Sequence, residues 1–174
     1  MPVVRAALFT VLLLAAVVLQ TAFFPYFALD GVTPDVVLIV VVAAGLTRGP
    51  EFAAVLGFFG GLLIDLAPPA EHVAGRWALA LMVVGYLAGK VRPEAGRSAL
   101  AALATVGAAS FVGTSIFALS GLLMIEPSVT AGEALRVIPI ALLLDLLLAP
   151  FVLPPALRIF RRVQPRQVAY ERRA

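Results

Sequence analysis

Cysteine is absent from the 174 residues, which excludes disulfide frameworks, thiolate metal sites and cysteine nucleophiles and leaves the redox compartment unread. Histidine occurs once, at His72. A multi-histidine metal cluster is therefore excluded, and a catalytic triad would have to use that one ring, on a joint between Pro69 and Gly75. Charge is also scarce, at 13% of residues against 62% apolar. With a mean hydropathy of +1.06, the chain lacks the polar surface that a water-soluble fold of this size needs. No phosphate-binding glycine loop and no metal-binding carboxylate cluster is found. The expectation is a non-enzymatic membrane protein with no cofactor, with one integral membrane domain over 1–162 and a basic tail over 163–174.

What the sequence does have is a pattern of cations between apolar runs. Arg5, Arg48, the Lys90/Arg92/Arg97 group and Arg158, Arg161, Arg162, Arg166, Arg172 and Arg173 fall at alternate joints, with only Arg76 and Arg136 between them. Eleven of the thirteen cations thus mark one side, and an excess of Lys and Arg marks the cytoplasmic side of a multi-spanning protein. The pI near 10 follows from these joints and the arginine tail. Such a tail, with Arg158, Arg161 and Arg162 at its root, is expected to meet anionic lipid headgroups or an acidic partner and not nucleic acid.

The apolar runs predict about six helices over 5–25, 34–47, 51–67, 76–91, 98–125 and 134–162, with both termini cytoplasmic. The first, from Ala6 to Phe24, would be about 28 Å long, close to a hydrocarbon core of about 30 Å. It lacks a small-residue cleavage pattern and reads as a retained helix. The second, from Asp35 to Leu46, would reach only about 18 Å. It is either padded by protein or dips in and returns. Thr33-Pro34-Asp35 predicts its start, with Asp35 in the first turn, where an anion complements the helix dipole. Gly49-Pro50, Pro68-Pro69, Pro93 and Pro127 mark other boundaries. Pro139, Pro150, Pro154 and Pro155 predict a kinked last helix whose freed carbonyls are satisfied by neighbouring helices.

Gly57, Gly61 and Asp65 recur every four residues and so share a helix face on which another backbone can approach closely. Gly85 and Gly89 repeat the pattern in the fourth span, and Ser98, Ala102, Thr105, Ala109 and Gly113 form a small stripe in the fifth. These faces predict helix packing, and one of the glycine faces is expected to receive a partner helix. Asp65, near a helix C-terminus, opposes the local dipole and needs donors, either to lock the third span to its neighbours or to serve a ligand or proton. Gln20 is placed at a similar depth. Asp145, the deepest ionisable residue, is expected to face the bundle interior and to meet Ser110, with Thr114 and Ser115 nearby, or to belong to a proton or cation relay. Trp77 and Tyr26 are expected as interfacial anchors.

The order and spacing of Pro34-Asp35-Val-Val-Leu-Ile-Val-Val-Val, Leu46-Thr-Arg48-Gly49-Pro50, Gly57-Phe-Phe-Gly60-Gly61-Leu-Leu-Ile-Asp65-Leu and Gly85-Tyr86-Leu-Ala-Gly89 resemble the rod shape-determining protein MreD family. The resemblance covers most of residues 10 to 92. It implies a non-enzymatic subunit of the bacterial cell-elongation machinery, partnered by the single-span protein MreC and through it by RodA, a class B penicillin-binding protein and MreB. It also implies a fold similar to the substrate-binding subunits of energy-coupling-factor transporters. Two rival readings follow: a vitamin-binding transporter subunit, and a small ion-coupled transporter resting on Asp65 and Asp145. The first span has no alanines spaced by four of the kind those vitamin-binding subunits use for docking.

Overall fold

The computed structural model describes residues 2–68, 73–92, 98–124 and 130–162. Six α-helices follow in order: α1 Pro2–Val18, α2 Val36–Arg48, α3 Pro50–Leu66, α4 Arg76–Lys90, α5 Ala99–Leu123 and α6 Ala131–Arg162. Among the described residues there is no strand, only an isolated bridge between Leu29 and Val32. His72, Pro69, Pro93, Arg97, Pro127 and the tail carrying Arg166, Arg172 and Arg173 lie outside the described residues.

Among the described residues three segments are long and apolar enough to cross a membrane: Ala6–Phe27, Ala99–Leu123 and Ala131–Arg162. Their outward faces carry large apolar side chains, among them Val11, Phe111, Leu147 and Phe151, all exposed. Lipid accommodates such a surface, whereas water does not. The molecule is an all-α membrane bundle.

The short α2 forms the axis of that bundle. Every residue from Val36 to Thr47 is buried, and α1, α3, α4, α5 and α6 all contact it. A helix that is apolar all round is a helix enclosed by protein, and this enclosure explains how a valine-rich run with modest helix propensity stays helical. Its length of about 20 Å is less than a hydrocarbon core of about 30 Å, and the surrounding helices enclose it.

Local chemistry sets the boundaries. Gly49 reverses the chain between α2 and α3 at φ +100°, a conformation open to glycine, and Pro50 begins α3 where its missing N–H costs nothing. The Ser98 hydroxyl accepts from Ala101 N–H at 3.0 Å to cap α5. Thr130 and Glu133 cap α6 reciprocally: Thr130 N–H donates to Glu133 Oε2 at 2.9 Å, and Glu133 N–H donates to Thr130 Oγ1 at 3.2 Å. The end of α1 passes through a π-helical turn, Leu19–Phe23, and a 3₁₀ turn, Phe24–Phe27.

The last helix is unbroken from Ala131 to Arg162, with all four prolines inside it. Each of the four is exposed. A proline frees the carbonyl four residues earlier, here those of Leu135, Leu146, Pro150 and Phe151.

Helix antiparallelism gathers the charges. Phe9 of α1, Phe52 of α3 and Phe160 of α6 cluster, with ring centroids 5.2 Å apart for Phe9–Phe52 and 5.3 Å for Phe9–Phe160. At the same end Gly45 of α2 abuts Gly89 of α4, and Leu46, Ser98 and Arg161 line one cavity. Arg48, Lys90, Arg92, Arg158, Arg161 and Arg162 therefore share this basic end, the last three exposed on the final turns of α6. Arg76 and Arg136 lie at the opposite end, where Arg136 pairs with Asp30 at 2.6 Å.

Candidate functional site

Apart from Thr47 and Thr114, the buried polar side chains among the described residues collect at two places, and both are helix starts. The first is the N-terminus of α2. There Asp35 is the N-cap, its Oδ1 accepting from Leu38 N–H at 2.7 Å. It stands one residue before the helix instead of in its first turn, as the sequence suggested. Its own N–H donates to Asp145 Oδ1 of α6 at 2.6 Å. The other Asp145 oxygen accepts from the Ser110 hydroxyl of α5, also at 2.6 Å. Val37 N–H donates to Gln20 Oε1 at 2.9 Å.

A helix leaves its first N–H groups without intrahelical partners, and in lipid each unsatisfied group costs several kcal/mol or about that. Here three different segments supply the acceptors. The π-helical turn brings Gln20 inward, α6 brings Asp145, and the capping residue serves itself. Asp35, Asp145, Ser110 and Gln20 are all buried, as is Pro34 beside them. One atom is left over: Asp35 Oδ2 is buried without a hydrogen-bond partner.

Sequence reasoning grouped Asp145 with Ser110 and left out the other members. Gln20, expected at a depth similar to that of Asp65, serves the α2 start through Val37 N–H. Asp35 was read as a local helix signal only. The information was available in the segment lengths. A helix of about 20 Å that ends at the basic face must begin near mid-depth, which is where Asp145 and Ser110 lie.

The second place is the start of α4. Asp65, at the end of α3, is fully enclosed, and its carboxylate accepts from Gly75 N–H at 2.8 Å, Trp77 N–H at 3.1 Å and Ala78 N–H at 3.1 Å. An anion that opposes the dipole of its own helix is thus seated on the positive end of the next. Arg76 makes the complementary move. At the joint before α4 it is buried, and there Nη2 donates to Phe117 O at 2.7 Å and Nε to Ser120 Oγ at 3.2 Å at the end of α5. Its guanidinium lies 3.9 Å from the Phe117 ring centroid, and Trp77 stacks on that ring at 4.5 Å. Tyr26 is exposed.

Between these ends the α3–α4 hairpin closes on its glycines. A Cβ at Gly57 would strike the Leu81 carbonyl, one at Gly61 the Trp77 carbonyl, one at Gly85 the Ala53 carbonyl and one at Gly89 the Pro50 backbone. The four glycines face each other's helices. The expectation that the Gly57/Gly61 or Gly85/Gly89 face receives a partner helix is therefore corrected, because the chain fills these faces itself.

Two mostly apolar cavities lie between helices. One of about 480 Å³ lies between α5 and α6, lined by Ala99, Ala102, Ala149, Pro150 and Leu153 with Arg161 at its mouth. Another, of about 690 Å³, lies between α1 and α3. Among the described residues no group of three or more His, Cys, Asp or Glu is arranged to hold a metal. Comparison of the chain with protein-family models, curated proteins and solved structures returned no match.

Proposed function

We propose that the chain is a non-enzymatic scaffold subunit of a bacterial cell-elongation complex, of the kind the MreD resemblance implies, in the cytoplasmic membrane. In this reading six helices cross or fill the membrane, the basic end faces the cytoplasm, and the bundle holds an MreC-type single-span partner. RodA, a class B penicillin-binding protein and MreB are reached through that partner.

What supports the reading is how the buried polar groups are employed. Asp145, Gln20 and the Asp35 Oδ1 cap α2, Asp65 caps α4, and Arg76 closes the end of α5. Each is committed to holding one helix against another. A carrier of polar vitamins would display such groups in a pocket, whereas the α5–α6 and α1–α3 cavities are walled mostly by aliphatic and aromatic side chains, with Arg161 lining the first and Arg48 the second.

With the glycine faces closed, the partner helix is assigned to the α5–α6 cavity. Ala99, Ala102 and Ala149 are small enough for close backbone approach, and the outward prolines of α6 leave carbonyls that a partner's hydroxyl can meet. The test is co-purification with an MreC-type protein in mild detergent. Ala99→Trp, at an exposed position on the cavity wall, should abolish capture while the subunit remains inserted and folded. Undiminished capture removes this face from the reading, and absence of capture by the unmodified chain removes the scaffold reading itself.

A further inference from the structure

The groove between α1 and α3 has a different character from the cavity assigned to the partner. One wall is a stripe of α3 running from Phe52 through Phe59 to Leu66, and the other is Phe9 and Leu13 of α1. These are large side chains, whereas close helix docking in lipid favours small ones. The α3 stripe covers fourteen residue steps, about 21 Å. That exceeds the depth of one leaflet, about 15 Å of a hydrocarbon core of about 30 Å, so a full acyl chain fits along it.

The groove is polar at one end only. The half-buried Arg48 closes it, its guanidinium 5.0 Å from the Phe52 ring centroid and 5.2 Å from that of Phe9. The position is fixed by the fold: Arg48 is the last residue of the enclosed α2, and its aromatic supports come from the two helices that form the walls. Arg48 keeps contacts of its own within the chain. Five N–H donors in a planar fork allow it to hold a phosphate oxygen in addition. Exposed Lys90 and Arg92 stand at the same end, against Glu51 in the first turn of α3, so the local balance is positive.

An aliphatic trough that ends on a guanidinium at the interface complements a molecule with one long apolar chain and an anionic head. We infer that the α1–α3 groove is a binding site for an anionic glycerophospholipid, one acyl chain lying along Phe52, Phe59 and Leu66 and the phosphate resting on Arg48. Only the choice of leaflet rests on the proposed orientation, and the site is testable on the purified subunit without any partner.

The experiment uses the full chain in vesicles, with Trp77→Phe to clear the background and Phe59→Trp as the reporter in the groove. Phosphatidylglycerol or phosphatidylcholine with brominated chains is added at equal trace fraction to vesicles of unlabelled phosphatidylcholine. Quenching should favour the brominated phosphatidylglycerol by about fivefold, the ratio expected for one cation at an anionic headgroup. Arg48→Gln should bring the ratio to unity, and Arg48→Lys should retain most of it. A Leu119→Trp reporter on the outward face of α5 should show no preference. Equal quenching by the two lipids at Phe59→Trp, a preference that survives Arg48→Gln, or no quenching by either lipid would each overturn the site. None of these results bears on capture of an MreC-type partner.

Discussion

The N–H of Asp35 donates to Oδ1 of Asp145 over 2.6 Å, joining the start of the axial helix to the middle of the last one across 110 positions of sequence. Because Ser110 occupies the second oxygen, one carboxyl group ties α2, α5 and α6 together. Replacing it separates shape from acceptor capacity. Asp145→Asn keeps an acceptor for Asp35, and the Ser110 hydroxyl can turn to accept from the new amide, so the loss should stay near about 1 kcal/mol. Asp145→Leu strands both donors and should cost about 2–5 kcal/mol. Denaturation of the purified protein in mixed micelles measures both, and equal losses would show that shape, not hydrogen bonding, governs the site.

Asp65 receives three N–H groups from the first turn of α4. Asp65→Asn preserves one acceptor and should leave assembly largely intact with a modest drop in thermal midpoint. Asp65→Leu leaves the helix start unsatisfied and should lower the midpoint steeply and abolish partner capture with it. A loss of partner capture in Asp65→Asn with an unchanged midpoint would instead show that the charge itself is required.

Glycine substitutions should divide by what they meet. Gly61→Ala drives a methyl group into the Trp77 backbone, and overpacking of this kind costs about 1–3 kcal/mol. Gly107→Ala meets only the flexible end of Leu146, at 3.3 Å, and should be close to neutral. Thermal unfolding of the two variants side by side is the measurement, and equal effects would contradict the close hairpin contact.

The lack of cysteine makes topology directly readable. Thr130→Cys, just before α6, and Arg162→Cys, at its end, should react from opposite sides of the membrane. An impermeant maleimide added to intact cells should label the first at once and the second only after permeabilisation. Labelling of both from one side would refute the proposed crossing of α6.

Much of this architecture was legible in the residues, because apolar length and cation placement act locally. Five helices lie within three residues of their expected bounds, whereas α1 ends at Val18, seven residues before the expected 25, and gives way to π-helical and 3₁₀ turns; the pairing of Asp145 with Ser110 followed from counting depth along two antiparallel helices. What was not legible depended on which faces meet. Glycines spaced by four announce a close approach but do not say whose backbone approaches, so Gly61 and Gly85 were assigned to a partner when each serves the other's helix. Nor does the sequence show which acceptors meet an arginine beside a joint: those of Arg76 are Phe117 O and Ser120 Oγ on α5. The meeting of Gln20 with Val37 N–H likewise depends on a π-helical turn that no periodicity foretells.

The axial position of α2 has a consequence for biogenesis. Synthesis delivers the valine-rich helix early, yet the carboxyl group that completes its first turn arrives 110 residues later. Until α6 enters the bilayer, the nascent bundle carries an open seam, and the Asp35 N–H at the start of its central helix waits for an acceptor while Val37 and Leu38 already have theirs. Chains cut short before Asp145 would keep that donor unmatched permanently.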